Sequence, residues 1–179
     1  MNDKFYTAER NVQIVISLLK ANGIKKVVAS AGTTNYTLVA SLQYDPWFEI
    51  YSSVDERSAA YIACGLAAES GEPVVLTCTG STASRNYYPG LSEAYYRKLP
   101  VLAITSHQGT DRIGQLIFQN IDRSNPPHDA VKLSVELPVV KDERDEDFVT
   151  MEANKAILEL RRNGGGPVHI NIFTTYSRD

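Results

Sequence analysis

Glu56 is the acid best placed for chemistry in this chain. It stands where a strand-like run, Phe48-Glu49-Ile50-Tyr51, passes through Ser52-Ser53-Val54-Asp55 into an alanine-rich helical pattern over residues 56–70. A carboxyl at such a junction has two uses. Acids are favoured in first helical turns because they accept from unpaired backbone N–H groups and offset the helix dipole. A carboxyl sheltered from water is instead raised toward neutrality and can exchange a proton with a ligand. Position alone assigns the first use, and only a ligand-binding context assigns the second. Three further places carry short polar residues: Gly32 and Thr33 in Ala31-Gly32-Thr33-Thr34, Thr82 and Asn86 in Ser81-Thr82-Ala83-Ser84-Arg85-Asn86, and two amides, Gln115 and Gln119. Thr82 and Asn86 have the character of pocket-lining residues, although a helix N-terminal turn would contain such types anyway. His107 and His128 read as loop histidines. No Ser/His/Asp order and no metal-ligand spacing accompanies them, so no metal site is expected within the chain.

The elements that must position these residues alternate in apolar period. Residues 7–19 place Val12, Val15, Ile16 and Leu19 at helical spacing, and Asn22-Gly23 ends that helix. Short apolar strands are expected at residues 26–30, 48–51, 73–78 and 101–105, with helices over 36–42, 56–70 and up to Tyr95. A last helix is expected over 146–162, then a Gly164-Gly165-Gly166 stop and a strand over 168–172. That triplet follows a helix and precedes a strand, the wrong order for a phosphate loop, so it reads as a turn. Nearly continuous apolar strands between helix-length segments define an α/β, doubly wound, mostly parallel sheet with helices on both faces. Ligands of such sheets collect beyond the carboxyl ends of the strands, which singles out residues 30–35, 52–57 and 79–86. Residues 109–129 lack periodicity, and a loop of that length is more often functional than idle.

Composition narrows the classes. The chain of 179 residues is long enough for one domain with a substantial core. A net charge of −3, with basic pairs scattered, gives no reason to expect a nucleic acid or an anionic membrane as partner. No apolar run reaches membrane-spanning length. Met1-Asn2-Asp3-Lys4 leads into the first helix without the apolar block of a secretion signal, and Cys64 and Cys78 sit in apolar stretches as free thiols would; a cytoplasmic protein is expected.

The stretch Ser53-Val54-Asp55-Glu56-Arg57-Ser58-Ala59-Ala60-Tyr61-Ile62-Ala63-Cys64-Gly65-Leu66-Ala67 resembles the strand-to-helix segment of thiamine-diphosphate enzymes, in which an acid opens a small-residue helix. The likeness continues through Gly71-Glu72-Pro73, Gly80-Ser81-Thr82, Leu99-Pro100-Val101 and Gly166-Pro167-Val168-His169-Ile170, and so covers almost the whole chain. It is similar to the acetolactate synthase group. It is nearer still to the succinyl-enolpyruvyl-cyclohexene-carboxylate synthases, whose Asp-Glu-Arg and Asn-x-Tyr-Pro elements recur at Asp55-Glu56-Arg57 and Asn86-Tyr87-Tyr88-Pro89. The resemblance implies a pyrimidine-binding domain in which Glu56 hydrogen-bonds the cofactor's aminopyrimidine. That contact drives the tautomer shift by which the ring removes the thiazolium proton, while Thr82 and Asn86 line the pocket. It implies Gln119, in a Phe118-Gln119 pair like that of acetolactate synthases, as the glutamine of the substrate side, with Gln115 as the other candidate and Gly32 and Thr33 in the first substrate loop. Asp55 is expected to cap the helix and Arg57 to lie at the surface or a dimer contact.

Two departures bear on the substrate. The first loop, Ser30-Ala31-Gly32-Thr33-Thr34-Asn35, lacks the arginine with which the synthases bind a carboxylate-rich substrate, and the order Ser-Gly-Thr is changed to Gly80-Ser81-Thr82. Both point to a related 2-oxo-acid decarboxylase or carboligase. No Gly-Asp-Gly occurs, so the Mg²⁺ that holds the diphosphate is expected on a separate diphosphate-binding domain or subunit, and this chain alone is expected to be inactive. It is then either the excised N-terminal domain of a longer enzyme, ending at Tyr176-Ser177-Arg178-Asp179, or the small subunit of a sulfopyruvate-type decarboxylase, and in either case at least a homodimer. A non-catalytic binding or assembly module with the same fold is the alternative from another class.

Overall fold

The computed structural model describes residues 6–175; the readings made on Met1–Lys4 and on 176–179 lie outside them. Six strands form one sheet in the order β2-β1-β3-β4-β6-β5, with every neighbouring pair parallel. They are β1 (Lys26–Ala29), β2 (Glu49–Ser52), β3 (Val74–Thr79), β4 (Val101–His107), β5 (Ser134–Leu137) and β6 (Val168–Phe173). The helices are α1 (Arg10–Ala21), α2 (Tyr36–Tyr44), α3 (Glu56–Ser70), α4 (Tyr88–Tyr96) and α5 (Glu143–Glu159). No helix of the described residues is long and apolar enough to cross a membrane.

Alternating side chains of the strands feed two apolar layers, as the period of two requires. Val27, Val75, Leu102, Ile104 and Ile170 pack with α1, α2 and α5 on one face. Val28, Leu76, Cys78, Val101 and Ala103 pack with α3 and α4 on the other. Burial on both sides is what makes β3 and β4 read as unbroken apolar runs. Asp55 starts α3 by accepting from the Ser58 N–H at 2.8 Å and the Ser58 hydroxyl at 2.6 Å. Those bonds hold the Asp55 carboxyl below its usual range. The cap sets the first helical residue as Glu56.

The structure corrects three expectations. The edge strand β5 was not expected. It is four residues long and buries only Val135 and Leu137, too short a pattern to register as a strand. The last helix begins three residues earlier than its apolar pattern suggested, because Asp142 caps it by accepting from the N–H groups of Arg144 and Asp145. His107 is not a loop residue. It is the last residue of β4 and is buried.

Candidate functional site

The strand order makes β1 and β3 the neighbours whose following segments leave in opposite directions. After β1 the chain turns to α2, whose Leu38 and Leu42 join one core layer. After β3 it enters a 3-10 turn, Thr82–Tyr87, and α4, whose Leu91 and Ala94 join the other. The divergence opens a crevice at the carboxyl edge, the place where ligands bind in such sheets. Asn35, fully buried, braces one wall: its Oδ1 accepts from Gly32 N–H at 2.8 Å and its Nδ2 donates to Ser30 O at 3.1 Å. Gly32 sits so close to β3 that a Cβ would lie 2.3 Å from Thr79 Cγ2. Ser30 Oγ donates to Ser53 O at 2.7 Å and thereby ties the first loop to the segment leading to Glu56.

Glu56 is half-buried, with its Oε2 3.4 Å from the Asn86 Nδ2 donor. Beneath them lies Tyr87, 1% exposed. Burial pushes its hydroxyl well above its ordinary value, and the nearby Cys78 thiol and Glu56 carboxylate push the same way, so it stays protonated. Burial also pushes the Cys78 thiol up to about 12 and the Cys64 thiol to about 11; both cysteines are free and neither is a nucleophile at neutral pH. The remaining candidates divide. Thr82 opens the 3-10 turn and is exposed. Gln119 and Thr33 both line a cleft of about 240 Å³ that also reaches Ser81 and Ser106. Gln115 is not in that cleft; its amide folds back to donate to Asp111 O at 2.8 Å. Arg57 is exposed.

Two buried residues that sequence reasoning did not single out, Arg123 and Asn171, hold the long loop that carries Gln119. The Arg123 guanidinium donates from Nε and Nη2 to Asn171 Oδ1 at 3.1 and 2.9 Å. Asn171 Nδ2 donates to Glu136 at 2.6 Å, and His107 Nε2 lies 2.7 Å from the other Glu136 oxygen. Burial alone would raise the Glu136 carboxyl, but the bonds from His107 and Asn171 outweigh it and leave it below its usual range. Thr105 donates to Asn171 Oδ1 at 3.0 Å, so it accepts from His169 Nε2 at 2.7 Å, and His169 Nδ1 accepts from Ser134 at 2.8 Å. The neutral ring is therefore fully satisfied. Only the glycine at 80 offered an early signal of this packing, since its Cβ would lie 2.6 Å from the Arg123 guanidinium carbon.

Burial, helped by Arg123, pushes His169 down to about 4. An imidazole that resists protonation only when folded stabilises fully above its unfolded value near 6.5 and loses that contribution as pH falls toward 4. Urea unfolding should show the domain losing about 2 kcal/mol between pH 7.5 and 5 from this group, and His169→Gln should remove that slope.

The arrangement defines a doubly wound α/β domain with one half-buried carboxyl at the start of α3; among the described residues no three His, Cys, Asp or Glu side chains converge as a metal site. Residues 10–125 match the family model of the thiamine pyrophosphate enzyme, N-terminal TPP binding domain, and the chain belongs to that family. It is 40% identical over 93% of its length to the 2-succinyl-5-enolpyruvyl-6-hydroxy-3-cyclohexene-1-carboxylate synthase of Bacteroides thetaiotaomicron. It is 36% identical over 95% to the synthase of that name from Porphyromonas gingivalis, and 32% over 89% to that of Haloarcula marismortui. The chain spans 30% of the length of the first two relatives and 27% of the third. The site residues fit an aminopyrimidine: Glu56 can exchange a hydrogen bond with a ring nitrogen, Asn86 holds the carboxyl from the side, and the open carboxyl edge leaves it reachable from outside the domain.

Proposed function

We propose that this chain is the pyrimidine-binding domain of a synthase of the 2-succinyl-5-enolpyruvyl-6-hydroxy-3-cyclohexene-1-carboxylate type, with Glu56 as the acid that activates thiamine diphosphate. The observation that carries the reading is the half-buried Glu56 carboxyl at the start of α3, 3.4 Å from the Asn86 amide, in a chain 40% identical to a synthase of that name. When bound beside Glu56, thiamine diphosphate would supply the nucleophilic carbon and the electron sink that 2-oxo-acid chemistry needs. Glu56 donates a proton to the ring nitrogen and takes it back. Asn86 limits the rotation of its carboxylate. Tyr87 and Cys78 close the floor beneath it, keep water out, and leave the carboxyl no competing base, since both hold their protons. Gln119 and Thr33 flank the cleft into which the substrate extends.

Mg²⁺ and the diphosphate belong to a domain outside this chain, and a second copy completes the site. Calorimetric titration of thiamine diphosphate with Mg²⁺ into the complete enzyme tests this. Binding is expected only when this domain and the diphosphate-binding part are together; an assembled enzyme that takes up no cofactor would sink the reading. A second reading, an acetolactate synthase-like decarboxylase or carboligase, is favoured by one observation: residues 30–35 carry no cation to meet a carboxylate-rich substrate. Product analysis separates the two.

A further inference from the structure

The first loop is suspended between two held residues. Gly32 is fixed by its N–H bond to Asn35 Oδ1 at 2.8 Å. Thr34 is gripped twice: its Oγ1 donates to Ser106 O at 2.8 Å, and its backbone oxygen accepts from Thr174 Oγ1 at 2.6 Å. Thr33, between them, is exposed and lines the cleft that also holds Gln119 in its wall. The backbone that presents Thr33 is thereby held from both sides.

The grip on Thr34 comes from a distant part of the chain. Thr174 follows β6 and is fully buried. Its N–H donates to His107 O at 2.9 Å, which continues the β4–β6 pairing by one bond and does not involve the side chain. The hydroxyl is therefore not needed for the sheet. Valine would suit such burial better, since a buried hydroxyl is unfavourable unless it is bonded. The bond that satisfies it spans 140 positions of sequence and ends on the first loop. The residues on either side are clamped as well. Asn11 Nδ2 donates to Phe173 O at 2.7 Å, and buried Glu9 accepts from the Thr175 N–H and, at 3.0 Å, from Thr175 Oγ1. The segment leaving β6 is thus a fixed post against which the first loop rests.

We propose that Thr174 is a positioning residue for the substrate: through Thr34 it fixes where Thr33 meets the cleft, and so couples the segment leaving β6 to the first loop. The proposal rests on the proposed function in one respect, that the substrate extends into this cleft. Thr174 reaches the cleft only through Thr34, so its effect falls on substrate affinity and not on the chemical step.

The test compares Thr174→Val, which keeps the shape and loses the hydroxyl, with Thr174→Ser, which keeps the hydroxyl, in the complete enzyme. Amide hydrogen exchange reads the loop at the Gly32 and Tyr36 N–H groups, which bond Asn35 Oδ1 and Thr33 O. Steady-state kinetics with 2-oxoglutarate and with pyruvate read the cleft, and thiamine diphosphate with Mg²⁺ is titrated in parallel. In Thr174→Val the two loop amides should exchange about three- to tenfold faster, the fold-change that one hydrogen bond supplies, with the amides of β3 and β4 unchanged. KM for the 2-oxo acid turned over should rise by a similar factor, with kcat and cofactor affinity unchanged, and Thr174→Ser should restore both. Wild-type exchange in Thr174→Val, or a lower thermal midpoint with KM unchanged, overturns the proposal. Faster exchange in an enzyme that takes up no cofactor rejects the proposed function while still supporting the coupling of Thr174 to the loop.

Discussion

Glu56→Gln should lower turnover of the assembled enzyme by about 10²- to 10⁴-fold, the range that a positioned acid–base group supplies. It should leave cofactor affinity much less changed. The two side chains share shape, so glutamine keeps a hydrogen bond to a ring nitrogen and keeps the Asn86 contact at 3.4 Å. What it cannot do is give up a proton and take it back. The fold should tolerate the change, because the Asp55 cap that starts α3 is untouched. The cost is at most the interaction of one first-turn acid with the helix dipole, about 0.3–1 kcal/mol. Single-turnover kinetics on the loaded enzyme make the measurement, and the thermal midpoint confirms that the variant is folded. A Glu56→Gln enzyme with wild-type turnover would return Glu56 to a capping role.

The second large effect is expected at Gly80, the residue after β3. A Cβ there would lie 2.4 Å from the Ser106 backbone oxygen and 2.6 Å from the Arg123 guanidinium carbon and Nη2. Neither neighbour moves cheaply. Ser106 O accepts from Gly80 N–H at 2.5 Å and from Thr34 Oγ1 at 2.8 Å, and so joins two walls of the crevice. Arg123 is fastened to Asn171. Gly80→Ala must part the ends of β3 and β4 or expel a buried guanidinium. Overpacking together with the loss of a buried hydrogen bond should cost about 2–4 kcal/mol, read as a lower urea midpoint. An unchanged midpoint would mean that the strand ends separate freely.

Parts of this outcome were legible early because they depend on local order. A parallel sheet followed from apolar runs such as Val74-Val75-Leu76, which only burial on both faces explains. The start of α3 followed from Asp55 and Ser58, three residues apart. The aperiodic stretch 109–129 was read as a loop, and no helix or strand lies within it. Where local order is thin, the reading failed. Ser134–Leu137 is an edge strand with two inward residues, and its pairing with β6 comes from residues some thirty-five positions away. His107 looked like a loop residue because a polar side chain at a strand end is usually wet; here the long loop and Glu136 cover it.

The sequence by itself determined the fold class and the start of α3 at Glu56, since each follows from residues within one strand-loop-helix unit. The tertiary structure decided what depends on distant partners. It turned Gln115 back on its own loop and placed Gln119 in the wall of one cleft with Thr33. It buried Arg123 against Asn171, 48 positions away. A charged side chain is cheap in water and costly in a core. Whether it serves as a clamp or a ligand is therefore settled by which groups from remote segments arrive beside it.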